Sequence, residues 1–178
     1  MRWAPLVRGG NEVLDLACGY GRHARFFAAR GCRVLAVDRD AAALATLAAV
    51  QGVTPRQADL EGTPWPFEPE SFAAVVVTNY LHRPLFGPIL GALRAGGILV
   101  YETFMHGNGR FGKPSNPEFL LQPGELLEVV GTELAVVAFE QGQVETPKRA
   151  LVQRICAVRA PVETLTALLD TPAGGGTL

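Results

Sequence analysis

At 178 residues the chain has the length of one domain. Its formal net charge is −1, with 16 lysines and arginines against 17 acids, so no long-range field favours nucleic acid or an anionic membrane. No apolar run approaches the roughly 18 residues that a membrane helix needs, the N-terminus lacks a signal core, and three cysteines without paired spacing predict neither a disulfide framework nor a zinc site. We therefore expect a cytoplasmic protein with no metal and no nucleic-acid or membrane partner.

The first predicted elements enclose a glycine turn. An apolar strand over about 12–17 runs into Gly19-Tyr20-Gly21, a helix follows over about 22–30, and a second strand over about 32–38 ends in Asp38. Glycines let the backbone turn sharply and approach a ligand, and an acid at the end of the second strand accepts hydrogen bonds from ribose hydroxyls. This segment predicts a site for an adenosine-containing cofactor.

The strand before the turn also carries Asp15. A carboxylate at this position would repel a diphosphate, whereas it pairs favourably with a cationic group. The sequence therefore favours a sulfonium cofactor over a dinucleotide.

Strands and helices continue to alternate, which is the pattern of a parallel sheet covered on both faces. The pattern predicts a helix over about 40–50, strands over about 54–58 and 72–78, a helix over about 85–94 and a strand over about 98–103. We expect a Rossmann-like α/β sandwich.

The end of the chain departs from this alternation. A helix over about 122–130 precedes two β-rich stretches at about 133–145 and 149–158, which predict an antiparallel hairpin at the sheet edge. We expect a single domain over residues 1–160, followed in residues 161–178 by a short helix and a disordered end.

Four segments carry, in order, a resemblance to a known family: Asp15 to Gly21, Asp38, Ala58-Asp59-Leu60, and Leu93 to Val100. They resemble the first motif, the ribose acid, the adenine-edge segment and the run into strand five of class I S-adenosylmethionine (SAM) dependent methyltransferases. The resemblance implies SAM as cofactor, S-adenosylhomocysteine as product, and a seven-stranded sheet whose last strand is antiparallel between the fifth and sixth. Ala17 replaces a glycine that many members carry, and we expect a negative φ there.

The turn and the resemblance together give the candidate cofactor-binding residues. Arg22 is expected to face the cofactor carboxylate, and Asn79 to lie where the order of the sheet reverses. The full set is Asp15, Ala17, Gly19, Gly21, Arg22, Asp38, Arg39, Asp59, Leu60 and Asn79.

The acceptor is expected beyond the carboxyl ends of the fourth and fifth strands, near residues 78–84 and 101–117. Phe104, Phe111 and Phe119 predict that the second, longer segment is ordered and packed. A soft acceptor needs no base, whereas a hydroxyl or ammonium does. No residue is assigned as catalytic; the candidates on the substrate side are His82, Tyr80, Glu102 and His106.

Several substrate classes are disfavoured. Enzymes of this family that methylate amino groups in nucleic acids carry Asn or Asp followed by Pro-Pro and an aromatic residue, and the chain has Asn79-Tyr80-Leu81-His82 instead. The glutamate loop of protein arginine methyltransferases and the acidic cluster of the magnesium-dependent catechol type are not evident. We predict a small-molecule acceptor, and the Gly-x-Gly-Arg run, similar to bacterial tellurite-resistance and thiopurine-type enzymes, favours a soft metalloid or sulfur atom.

Two other classes remain open. One is a SAM-binding protein or subunit without catalysis; the other is an NAD-dependent oxidoreductase, which would use Gly19, Gly21 and Asp38 but lack the antiparallel end. Because only residues 1–11 precede the first strand, we predict an open site that retains SAM weakly unless a second chain closes it, and a homodimer is left open.

Overall fold

In the computed structural model, which describes residues 2–160, seven strands form one sheet. They are β1 (Glu12–Leu16), β2 (Arg33–Asp38), β3 (Val53–Gln57), β4 (Phe72–Thr78), β5 (Leu93–Phe104), β6 (Ala135–Val144) and β7 (Ala150–Val158). Their order across the sheet is β3-β2-β1-β4-β5-β7-β6. Strands β1 to β5 are parallel, and β7 is antiparallel to both β5 and β6. The predicted fold class and the inserted antiparallel strand are confirmed, while the expectation for residues 161–178 lies outside the described residues.

Four α-helices cover the sheet within residues 2–160. They are α1 (Arg22–Ala28), α2 (Ala41–Ala45), α3 (Phe86–Gly91) and α4 (Glu125–Val130). Asp40 begins α2 because its side chain accepts hydrogen bonds from the amides of Ala42 and Ala43. None of the described helices has the length and apolarity to cross a membrane.

All four helices are shorter than the sequence pattern predicts, α2 and α3 most of all. After Ala45 the chain continues in tighter turns, in which Leu47 donates to the carbonyl of Leu44 three residues back, so α2 does not reach residue 50. The helix predicted over 85–94 ends at Gly91 because Leu93 already pairs with Phe72 of β4. In both cases the chain must return to the sheet before the apolar pattern ends.

The core lies in two layers, one on each face of the sheet. Strand β4 is buried on both faces: Val75 and Val77 pack into one apolar cluster, and Ala74 and Val76 into the other. Cys156 is buried in the second cluster, as expected of a small core residue.

The strand order determines where along the sheet a ligand could bind. Strand β1 lies between β2 and β4, so the chain leaves β1 towards one side and later crosses to the other. At this reversal the connections diverge and leave a crevice beyond the carboxyl ends of the strands. The residues that follow β1, β2 and β4 therefore meet at one place.

Candidate active site

The turn after β1 requires glycine at one position in particular. Gly21 has φ +69°, and a Cβ built on it would lie 2.5 Å from Cδ2 of Leu47. Gly19 has φ +52° with open space around it, and its amide donates a hydrogen bond of 2.7 Å to Oδ2 of Asp38. The turn thus presents a bare stretch of backbone that is fixed to the end of β2.

Ala17 has φ +51°, so the expectation of a negative φ was wrong. The chain leaves β1 here and turns so that the Cys18 amide reaches the carbonyl of Val37 at 3.0 Å. Asn79, after β4, is likewise left-handed with φ +55°. Ala17 and Asn79 thus hold a left-handed conformation that residues with a side chain rarely adopt, and both line the same cavity.

Asp38 is held in place by backbone amides on both carboxylate oxygens. Oδ2 accepts from Gly19, and Oδ1 accepts from Asp40 at 2.9 Å. A carboxylate has about four lone-pair positions, so acceptor capacity remains for a ligand. Its orientation is set before any ligand arrives.

A cavity of about 270 Å³ lies at the reversal of the sheet, and we call it the switch-point cavity. Six of the ten cofactor candidates line it: Ala17, Asp38, Arg39, Asp59, Leu60 and Asn79. The rest of its wall is Ala58, which belongs to the adenine-edge segment, together with Glu61 and Tyr80, which the sequence did not assign to a cofactor.

Tyr80 was expected on the substrate side, and the structure places it in the switch-point cavity instead. Its hydroxyl is buried and has no hydrogen-bond partner within the described part of the chain. Burial, with a contribution from the Glu61 carboxylate, raises the pKa of this phenol well above its ordinary value. The hydroxyl is therefore protonated at neutral pH and available as a hydrogen-bond donor.

Asp15 lies behind the turn and does not line the switch-point cavity. The side chain is 1% exposed; Oδ2 accepts a 2.8 Å hydrogen bond from the Ala24 amide, and Oδ1 has no partner among residues 2–160. Burial raises the pKa of Asp15 to about 7, although the Ala24 bond and the nearby Arg22 act in the opposite direction. The carboxyl group ties the start of α1 to β1.

His23 is a buried neutral side chain. Its Nδ1 lies 3.3 Å from Oγ1 of Thr78, at the end of β4. Burial, helped by Arg22, lowers the pKa of His23 to about 4. It therefore carries no charge at neutral pH.

A second cavity, of about 260 Å³, opens beyond the ends of β4 and β5, and we call it the basic cavity. Arg22, Glu102, Lys113 and Lys148 are among its lining residues, and Asn79 belongs to both this cavity and the switch-point cavity. The two cavities are therefore neighbours across a single side chain.

A larger cavity, of about 440 Å³, lies between α1 and the N-terminal residues. Its walls include Trp3, Phe26 and Glu102, but no residue from the carboxyl ends of β1 and β2. Arg22 lines this cavity as well as the basic cavity. Size alone does not make it the cofactor site, because the turn and Asp38 lie elsewhere.

The substrate-side candidates do not form one cluster. Glu102 lines the basic cavity, where Oε2 lies 2.9 Å from Nε of Arg154. His82 is half-buried and His106 is exposed, and neither lines any of the three cavities described above. The structure thus brings only Glu102 to the basic cavity.

The long segment after β5 is ordered by a buried asparagine. Asn108 donates from Nδ2 to the carbonyl of Pro114, and its Oδ1 accepts from the amide of Leu151 in β7, both at 3.0 Å. Phe104 and Phe111 line the basic cavity as packed aromatics. Phe119 is 52% exposed, so its expected packing role was wrong.

Comparisons with known proteins bear on the domain and its fold. Residues 13–97 match a family model described as a methyltransferase domain. No curated protein matches the chain by sequence.

Three solved structures share the fold. TehB from Haemophilus influenzae has a TM-score of 0.75 and 17% identity, over 89% of this chain and 60% of that one. A SAM-dependent methyltransferase from Methanosarcina mazei has a TM-score of 0.68 and 15% identity, over 87% and 95%. A geranyl diphosphate C-methyltransferase from Streptomyces coelicolor A3(2), solved with S-adenosylhomocysteine, has a TM-score of 0.64 and 20% identity, over 86% and 73%. The chain thus spans 60% of TehB and most of the other two.

Proposed function

We propose that this chain is a class I SAM-dependent methyltransferase, and that it transfers a methyl group from SAM to a small-molecule acceptor. The antiparallel β7 is a feature that the oxidoreductase alternative was expected to lack. The acceptor is the part of this proposal that the family leaves open.

The observation that carries the proposal is the convergence of six candidates in the switch-point cavity. Asp38 would accept hydrogen bonds from the ribose hydroxyls, and Asp59 and Leu60 would border the adenine. The unpartnered Tyr80 hydroxyl, buried in the same wall, supplies a donor that a polar ligand would satisfy. The donors and acceptors present thus fit an adenosine.

When bound there, SAM supplies a methyl group on a positively charged sulfur; the group passes to a nucleophile while the sulfur keeps the electron pair of the broken bond. Arg22, at the start of α1, would face the cofactor carboxylate. Asn79 would stand between cofactor and acceptor, because it lines both cavities. These residues act by binding and orientation.

A general base is not part of the proposal. Tyr80 stays protonated at neutral pH, and Glu102 is paired with Arg154. His82 and His106 lie away from the cavities described above. We therefore propose that acceleration comes from holding the two reactants close and aligned, as suits an acceptor that needs no deprotonation.

Calorimetric titration tests the cofactor. SAM and S-adenosylhomocysteine should bind and NAD should not. Asp38→Asn should weaken both sulfur nucleosides about tenfold or more, because each hydrogen bond to a charged group is worth roughly 1.5–3 kcal/mol. Glu12→Gln, an exposed acid at the start of β1, is the matched control and should bind normally. NAD binding, or normal binding by Asp38→Asn, would contradict the proposal.

Transfer itself requires a second assay. With SAM labelled at the methyl carbon, NMR should show the label moving onto a component of a small-molecule mixture. Binding of SAM without transfer to any component would instead favour the non-catalytic alternative.

A further inference from the structure

The walls of the basic cavity carry an excess of positive charge. Five basic side chains line it, against the single acid Glu102, in a chain whose net charge is −1. The chain contains only two lysines, and both are in this wall. The basic residues are Arg22, Lys113, Lys148, Arg149 and Arg154.

These cations come from four separate parts of the chain. Arg22 begins α1, Lys113 lies in the segment after β5, Lys148 and Arg149 connect β6 to β7, and Arg154 is on β7. The Nζ atom of Lys148 would lie 3.3 Å from a Cβ built on Gly112, so it reaches across the cavity to the segment that carries Lys113. The convergence is therefore a product of the tertiary fold.

Most of this charge is not neutralised by the protein. Arg154 pairs with Glu102 at 2.9 Å, and Arg149 with Glu145 at 3.0 Å. Lys113 and Lys148 have no ion pair within residues 2–160, and neither has Arg22, which the proposed function places against the cofactor carboxylate. A concave wall with excess charge of one sign raises the local concentration of ions of the opposite sign.

The uncharged part of the wall is largely apolar, with Asn79, Asn108 and Thr146 as its polar members. Phe104 and Phe111 face the cavity together with Val144, Pro147 and Val152. A cavity of about 150 Å³ can hold benzene, so 260 Å³ accommodates a ring with a short polar substituent. The shape and the charge together favour a small molecule with an apolar ring and an anionic group.

We infer that the basic cavity binds the methyl acceptor, and that this acceptor carries an oxyanion, a carboxylate or a phosphate, on a flat apolar body. The inference rests on the proposed function. Lys113 and Lys148 attract the oxyanion, and the aromatic walls hold the body. Asn79 marks the boundary across which the acceptor meets the cofactor.

The two lysines allow a direct test on the full chain. Reductive methylation with ¹³C-formaldehyde labels both side chains and keeps their charge, and Lys113→Arg and Lys148→Arg assign the two NMR signals. Benzoate, phenyl phosphate and the neutral isostere benzamide are then titrated with S-adenosylhomocysteine present. Benzoate, phenyl phosphate or both should shift both lysine signals saturably, and benzamide should bind at least about tenfold more weakly. The stronger of the two anions identifies the oxyanion.

A double variant that removes the charges of both lysines gives an independent test by calorimetry. Lys113→Gln/Lys148→Gln should lower the affinity for the anion about tenfold and leave that for S-adenosylhomocysteine unchanged. The control Arg8→Gln/Arg94→Gln removes the same amount of positive charge near the N-terminal ends of β1 and β5, away from the basic cavity. It should change neither affinity.

The outcomes separate this inference from the proposed function. Unshifted lysine signals, or benzamide binding as tightly as benzoate and phenyl phosphate, would overturn the inference even where S-adenosylhomocysteine binds. Failure of S-adenosylhomocysteine to bind, with the lysine shifts intact, would overturn the proposed function and keep the anion site.

Discussion

The buried carboxyl group of Asp15 gives the protein a stability that depends on pH. Only the Ala24 amide donates to it among the described residues, and its second oxygen is buried without a partner. Burial therefore raises its pKa from 3.8 to about 7. We predict that Asp15→Asn removes this pH dependence.

The direction of this pH dependence follows from the linkage between proton binding and folding. Because the pKa is higher in the folded chain, the contribution of Asp15 is fully present below about pH 4 and is lost as the pH rises through 7. A pKa raised from 3.8 to about 7 corresponds to about 4 kcal/mol of unfolding free energy. His23 acts in the opposite direction: its pKa falls from 6.5 to about 4, so its contribution is present above pH 6.5 and is lost as the pH falls through 4.

The assay is urea unfolding of the wild type and of Asp15→Asn from pH 4 to pH 8. Since His23 titrates in both proteins, the difference between them isolates Asp15. Relative to the variant, the wild type should lose about 4 kcal/mol across this range. Glu12→Gln, on the exposed end of the same strand, should follow the wild type. A difference between wild type and Asp15→Asn that does not vary with pH would refute the reasoning.

Three further substitutions test the strained turn and the ordered segment, each by chemical unfolding. Ala17→Gly should stabilise the protein by about 0.5 kcal/mol, because the relief of the left-handed conformation exceeds the entropy of glycine; Ala42→Gly, in α2, should destabilise it. Gly21→Ala should cost about 3 kcal/mol, because its Cβ would meet Leu47 at 2.5 Å in a left-handed conformation; wild-type stability would show that the turn relaxes. Asn108→Ala should cost about 3 kcal/mol by leaving two backbone groups unpaired, and a loss below about 1 kcal/mol would mean that water replaces the side chain.

The fold could be predicted because its signals are local. The apolar run of β4 and the glycine turn that ends in Asp38 depend on neighbours along the chain, and both lie where the sequence indicated. The antiparallel β6 and β7 also followed from two consecutive β-rich stretches. Periodicity is informative for elements that are buried on one or both faces.

The features that could not be predicted depend on contacts between distant segments of the chain. The positive φ of Ala17 reflects the bond from Cys18 to Val37, which no local pattern encodes. The place expected for the acceptor agrees with the basic cavity, but its concentration of positive charge was missed because Lys113 and Lys148 meet only after β7 inserts beside β5. Both lysines of the chain lie in connecting segments that follow a strand, Lys113 after β5 and Lys148 after β6, and this was the available signal.

We propose that the switch-point cavity, and not the larger cavity beside α1, holds the cofactor. A crystal structure with S-adenosylhomocysteine tests it most directly. We expect the ribose hydroxyls to lie within hydrogen-bond distance of Asp38 and the adenine to lie beside Leu60. Electron density for the nucleoside among Trp3, Phe26 and His23, with Asp38 free of contact, would contradict it.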